Sequence, residues 1–133
     1  MTLDTHNLNE MLQQAAQTAK VNGLRAIEVL QDNSQLTADA FTQQLASTLA
    51  YPYLTLTQML ALQPAFDRIS FSESLQNECV LLHDSSLHDN NSNIFVFADI
   101  YNQRLQTWAA ERIGGAFTTY LAHHADIAAY LAK

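Results

Sequence analysis

The chain is short of cysteine, glycine and charge, and each scarcity removes a class of protein. Its single thiol, Cys79, cannot build an internal disulfide framework and fits a reducing compartment. Its three glycines, Gly23, Gly114 and Gly115, belong to no GxxxxGK or GxGxxG pattern, so the sequence offers no phosphate-cradling loop. Charged residues make up 14% of the chain, against about 25% in an average one. Thirteen acids against six bases give a net charge of −7, and no two bases are adjacent. That balance argues against nucleic acid as the main ligand, because phosphate binding needs clustered Lys and Arg. No apolar run approaches the roughly 18 residues of a membrane span. The N-terminal MTLDTHNLNE has no basic region followed by an apolar stretch, so it does not read as a signal peptide. The expectation is a soluble, acidic, cytoplasmic domain.

What is present is a core and an uncharged polar coat. Apolar residues are 48% of 133 residues, and a chain of this length buries roughly two-thirds of its unfolded surface. Twelve Gln and nine Asn, with many Ser and Thr, take over solvation from the missing charges.

The first half has helical periodicity. Residues 4–20 carry Leu8, Met11, Leu12, Ala15, Ala16 and Ala19 at spacings of three and four, with Asp4 or Thr5 as N-cap. Asn22-Gly23 ends that helix. Leu24, Ile27 and Leu30 mark a short second helix, closed by Asp32-Asn33-Ser34. Thr37 caps a third, with Leu36 placed to pack on Phe41 as a hydrophobic staple and Leu45 and Leu49 continuing the face. Tyr51-Pro52 stops it, since proline disfavours helical geometry in the residue before it. Residues 53–64 read as a connector, with one helical turn at Thr57–Leu60.

In the second half the period changes. Ile69, Phe71 and Leu75 suit a short helix starting at Ser70 or Ser72, followed by an apolar strand at Cys79–His83. Asp84–Asn93 (DSSLHDNNSN) is turn chemistry apart from Leu87, and Ile94–Ala98 (IFVFA) is a strand buried on both faces. A helix from about Asn102 to Gly114-Gly115, a strand at Phe117–Leu121 and a helix at Asp126–Leu131 complete the chain. The first two strands should pair antiparallel, and the strand–helix–strand unit over residues 94–121 should be a right-handed parallel crossover. The fold class is therefore α+β: a helical N-terminal half (residues 1–62), then a small three-stranded sheet covered by helices (residues 63–133).

Chemistry is sparse in this pattern. His83-Asp84 and His88-Asp89 offer metal-ligand residue types, but at a spacing that matches no usual ligand signature, so a solvated loop is expected instead. His123-His124 with Asp126 is a second grouping; adjacent side chains on a helix diverge by roughly 100°, so a capping turn is expected there. Asp99 ends a buried strand just ahead of a helix, where α/β proteins often place functional carboxylates, and reads as a turn residue. Cys79 should behave as a small buried hydrophobe. No catalytic residue, metal site or cofactor is expected. The remaining candidate is docking: the first helix pairs a narrow stripe (Leu8, Met11, Leu12, Ala15) with a Gln-rich opposite face, and the stripe either completes the core or meets another protein.

The order of motifs nevertheless resembles a known family. NSQLTADAFTQQLASTLAYPYLTLTQM, with Leu36-Thr37, Asp39, Leu45-Ala46 and Pro52-Tyr53-Leu54-Thr55-Leu56, is similar to the N-terminal domain of type II secretion and type IV pilus assembly ATPases. ISFSESLQNECVLLH resembles that family's short helix and strand. IFVFADIYN resembles its strand signature at Ala98, Asp99 and Asn102, with Ile100 where proline is usual. GGAFTTYLAHHADIAAYL, through Ala125-Asp126-Ile127, fits its closing strand and helix. The resemblance covers about residues 24–133.

The resemblance implies a non-catalytic docking or sensory domain, with the ATPase lying C-terminal to it. Its partner would be the cytoplasmic part of an inner-membrane platform protein, which would hold the domain in the cytoplasm beside the membrane. Relatives in the same superfamily bind cyclic di-GMP through two tandem copies of a motif that opens Arg-Leu-Gly. Here the nearest match is Leu24-Arg25-Ala26, without the glycine, and no second copy fits in residues 1–20. Arg25 would be the one base of that degenerate motif.

Overall fold

The computed structural model describes residues 5–84 and 93–133. The chain divides into two compact units, Met1–Tyr51 and Pro52–Lys133.

The first unit is helical: α1 (Thr5–Asn22), α2 (Ala26–Ser34) and α3 (Ala38–Thr48). α1 packs on α2, and α2 on α3. The stripe of α1 is buried at Leu8, Met11, Ala15 and Ala19, with Leu12 half-buried and Ala16 exposed. Ile27, Val29 and Leu30 of α2 and Phe41, Leu45 and Ala46 of α3 are buried as well. Thr37 caps α3, its hydroxyl accepting the Ala40 N–H at 3.3 Å. Two α-helices of this unit end on the same bond pattern. Leu24 N–H donates to the Ala19 carbonyl at 2.8 Å across Gly23 (φ +67°), and Tyr51 N–H to the Ala46 carbonyl at 2.8 Å across Ala50 (φ +63°). Both are six-to-one closures over a left-handed residue. Gly23 suits that conformation; Ala50 adopts it against its own Cβ.

In the second unit the elements are α4 (Leu56–Leu60), β1 (Gln63–Pro64), α5 (Phe71–Asn77), β2 (Cys79–His83), β3 (Asn93–Phe97), α6 (Leu105–Ile113), β4 (Thr118–Leu121) and α7 (His124–Ala132). The strands lie in the order β1-β2-β3-β4. β2 and β3 run antiparallel with Val80 opposite Val96, and β3 and β4 run parallel with Val96 opposite Tyr120. Both pairings follow the sequence expectation. The sheet has four strands, however, where the sequence suggested three. β1 pairs antiparallel with β2 through Gln63–His83 and Pro64–Leu82, and Ala65 N–H reaches the Leu81 carbonyl at 2.8 Å. A two-residue strand containing proline has no periodicity to detect, and proline is tolerated there because the strand is at the edge. The far edge is lengthened in turn by Pro52–Leu54: Leu121 N–H donates to the Pro52 carbonyl at 2.9 Å, and Leu54 N–H to the Leu121 carbonyl at 3.0 Å.

Alternation along the strands then builds the core. Val80, Leu82, Val96 and Ala98 point to one face, where they meet Leu54, Met59, Ile127, Tyr130 and Leu131. The opposite face carries Cys79, Leu81, Phe95 and Phe97, all at most 3% exposed, with Phe117 edge-on to Phe95 at 6.1 Å. Tyr130 is buried because its hydroxyl finds a partner, the Leu62 carbonyl at 3.0 Å. The short helices are held by capping boxes. Thr55 and Gln58 start α4, and Ser70 and Glu73 start α5. α6 ends at Gly114 (φ +69°).

Two measurements test this account. Gly23→Ala should lower the unfolding free energy by about 1 kcal/mol, and Ala50→Gly should raise it by no more than about the same amount, as read from urea midpoints. Cys79 has no exposed surface, and burial first, then the Glu73 charge, pushes its thiol up to about 12. Iodoacetamide at about pH 8 should therefore leave Cys79 unmodified in the native chain and alkylate it in urea.

Candidate functional site

The structure spends most of the candidate polar residues on its own turns. Asp99 Oδ1 accepts the Tyr101 N–H at 2.9 Å, and the Asp99 carbonyl accepts the Asn102 N–H at 3.2 Å, so this carboxylate shapes the turn leading to α6. The Tyr101 hydroxyl is pushed up to about 12, first by burial and then by the nearby Asp99 charge. His83 is the last residue of β2, half-buried and in register between Gln63 and Asn93. His88 and Asp89, with the rest of the expected loop at 85–92, lie outside the described residues, as does Asp4. Among the described residues, no group of three or more His, Cys, Asp or Glu could hold a metal ion.

At His123-His124 the structure corrects the expectation of diverging side chains. The two rings lie 4.3 Å apart between centroids, tilted by 30°. They meet because His123 sits outside the helix in extended backbone (φ −74°, ψ 141°), where the 100° rotation per residue does not apply. Its ring does what the capping reading requires: Nδ1 accepts the Ala125 N–H at 3.1 Å. Asp126 follows in the first turn of α7.

Arg25 occupies the position before α2, with extended backbone and no capping bond from its side chain. Its guanidinium lies 3.9 Å from the Glu28 carboxylate, both side chains well exposed. Of the α1 stripe, Leu8, Met11 and Ala15 are no more than 7% exposed, and Leu12 is half-buried. The stripe is thus engaged in packing, chiefly against α2.

An exposed apolar cluster in the second unit went unread in the sequence. Phe66 stacks edge-on against Phe71, with centroids 5.7 Å apart and an interplanar angle of 85°. Leu75 follows Phe71 one turn along α5. The three are 37%, 43% and 50% exposed. The spacing of Phe71 and Leu75 is that of a core-facing stripe, yet the residue of α5 turned inward is Ser74, whose hydroxyl donates to the Ser70 carbonyl at 2.9 Å. The only sequence signal for this inversion was the pair of serines, Ser70 and Ser74, at the same spacing. Beside the cluster, α5 is tied to α6. The Arg112 guanidinium lies 2.7 Å from the Glu73 carboxylate and 5.8 Å from the centre of the Trp108 ring. Arg68 donates to the Ile113 carbonyl at the end of α6. The Ser70 N–H, above all, holds the Glu73 carboxyl below its ordinary range; the Ser70 hydroxyl and Arg112 assist, and partial desolvation opposes them.

No protein-family profile matches the chain, and no curated protein matches its sequence. Solved structures do. MshE, solved with cdg, superposes with a TM-score of 0.66 at 15% identity, over 92% of this chain and 86% of that one. The N-terminal domain of XpsE gives a TM-score of 0.63 at 14% identity, over 91% of this chain and 82% of that one. The chain therefore has the fold found in MshE and in the N-terminal domain of XpsE.

Proposed function

We propose that this chain is a non-catalytic docking domain of a bacterial type II secretion or pilus assembly ATPase, which binds the cytoplasmic part of an inner-membrane platform protein. The observation that carries the reading is the likeness to the N-terminal domain of XpsE over 91% of the chain. It supports, over nearly the same residues, the resemblance drawn from the ordered motifs. Such a domain acts by binding: it reports a partner's presence to a motor and needs no acid–base or nucleophilic group of its own. The domain would then sit in the cytoplasm, beside the membrane only through its partner; no helix among the described residues is long and apolar enough to cross one.

Two surfaces compete for the docking role. The α1 stripe (Leu8, Met11, Leu12, Ala15) reaches a partner only if α1 lifts from α2, because three of these side chains are buried. Phe66, Phe71 and Leu75 are already open, so a partner reaches them without any helix moving. In a pull-down or interferometry assay with the platform protein's cytoplasmic domain, binding is expected at tens of micromolar or tighter, on the order of −6 kcal/mol or better. Replacing Phe71 and Leu75 together by Ser should weaken it about tenfold or more. Intact binding in that variant, with faster amide exchange in α1 on complex formation, would move the contact to the stripe. No binding to any platform protein overturns the reading.

A second reading, a cyclic di-GMP receptor regulating an ATPase or glycosyltransferase, is favoured by the presence of cdg in the MshE structure. Against it stand the missing glycine after Arg25 and the Glu28 carboxylate beside that guanidinium. Calorimetric titration with the dinucleotide should give no saturable heat. Saturable heat abolished by Arg25→Ala would establish the second reading.

A further inference from the structure

α7 starts at a histidine used as a hydrogen-bond acceptor. His123 is 8% exposed, and its Nδ1 receives the Ala125 N–H at 3.1 Å. An imidazole that accepts through Nδ1 carries its proton on Nε2, and once both nitrogens are protonated it has no lone pair to offer. Protonation therefore removes the cap and leaves a cation at the positive end of a helix, where charge of that sign is unfavourable.

α7 packs on α4, α5, β2 and β3. α4 and β3 carry no ionisable side chain. β2 contributes Cys79, neutral with its thiol near 12, and His83; α5 contributes Glu73 and, at its C-cap, Glu78. On α7 itself are His124, Asp126 and Tyr130. His124 Nδ1 lies 3.9 Å from Glu78 Oε2. The His123 and His124 rings lie 4.3 Å apart between centroids.

We propose that His123 is an acid-labile cap, which holds the start of α7 while the imidazole is neutral and releases it on protonation. The helix it holds supplies Ile127, Tyr130 and Leu131 to the core of the second unit, so acid weakens the covering of the sheet from this end. The sign follows from linkage. Below the ordinary imidazole range, about pH 6.5, the unfolded chain takes up a proton that the capped state excludes. The cap's contribution is thus complete above that range and is lost as pH falls through it. The inference does not depend on what the domain binds.

The test compares thermal unfolding of the whole chain with that of His123→Asn, which caps through a side-chain oxygen and does not titrate. Carboxylate titrations are common to both proteins and cancel. Between about pH 7.5 and pH 5.5, the wild-type midpoint should fall further than the variant's by several degrees, about 4–8 °C for a cap of ordinary strength. His123→Ser should behave like His123→Asn, which guards against a single poorly folded variant. His124→Asn should keep the wild-type pH dependence. Equal falls in the wild type and both His123 variants overturn the proposal, and so does a pH dependence that disappears with His124 instead.

Discussion

The second unit depends on β3 being apolar on both faces and paired on both edges. Val96 faces the cluster under α7, and Phe95 and Phe97 face the other way, none more than 3% exposed. A strand in that position leaves no solvent-facing side for a polar residue, so its neighbours must cover it twice. β2 meets this on one edge with four consecutive buried residues, Cys79 to Leu82. β4 meets it on the other by returning parallel after α6. The demands on α7 follow as well: it must bring Ile127, Tyr130 and Leu131 onto one face, which makes the turn between Leu121 and His124 sensitive to its capping group.

Much of this was legible because local chemistry and tertiary structure agree. Thr37 was a readable cap and Ser70 one of two candidates with Ser72, since Ser and Thr hydroxyls ahead of an apolar face satisfy the first free N–H groups of a helix. Asn22-Gly23 and Gly114 were readable ends because their φ values, +67° at Gly23 and +69° at Gly114, suit glycine. IFVFA was readable because an unbroken run of strand formers that short fits burial on two faces. The failures share a cause too. β1 exists only through its pairing with β2, and a dipeptide with proline carries no pattern of its own. The rings of His123 and His124 meet because one of them is outside the helix, a boundary that periodicity does not locate to the residue.

The candidate site was the least legible part, because spacing identifies a face and not the side it turns to. Phe71 and Leu75 are spaced as a core stripe, but α5 is only seven residues long and is anchored through Ser70, Glu73 and Ser74. Once the capping box and the Glu73–Arg112 pair fix its rotation, the apolar residues are carried outward. The α1 stripe shows the same ambiguity from the other side, its spacing equally compatible with a core and with a contact face. A sequence can supply the apolar face; which side it presents is set by polar anchors elsewhere.

Those anchors also bear on what the domain can bind. Of six bases, Arg25 faces Glu28, Arg68 holds the Ile113 carbonyl, Arg112 holds Glu73, and Lys133 lies 4.2 Å from the Tyr130 ring centre. Four of the six bases are thus engaged within the chain, in a protein carrying −7 overall. Its acids are as dispersed as its bases: five acids and two bases over residues 1–62, eight and four over residues 63–133. Under the docking proposal recognition falls to shape and apolar contact, and Phe66, Phe71 and Leu75, at 37%, 43% and 50% exposure, form one apolar group open to it.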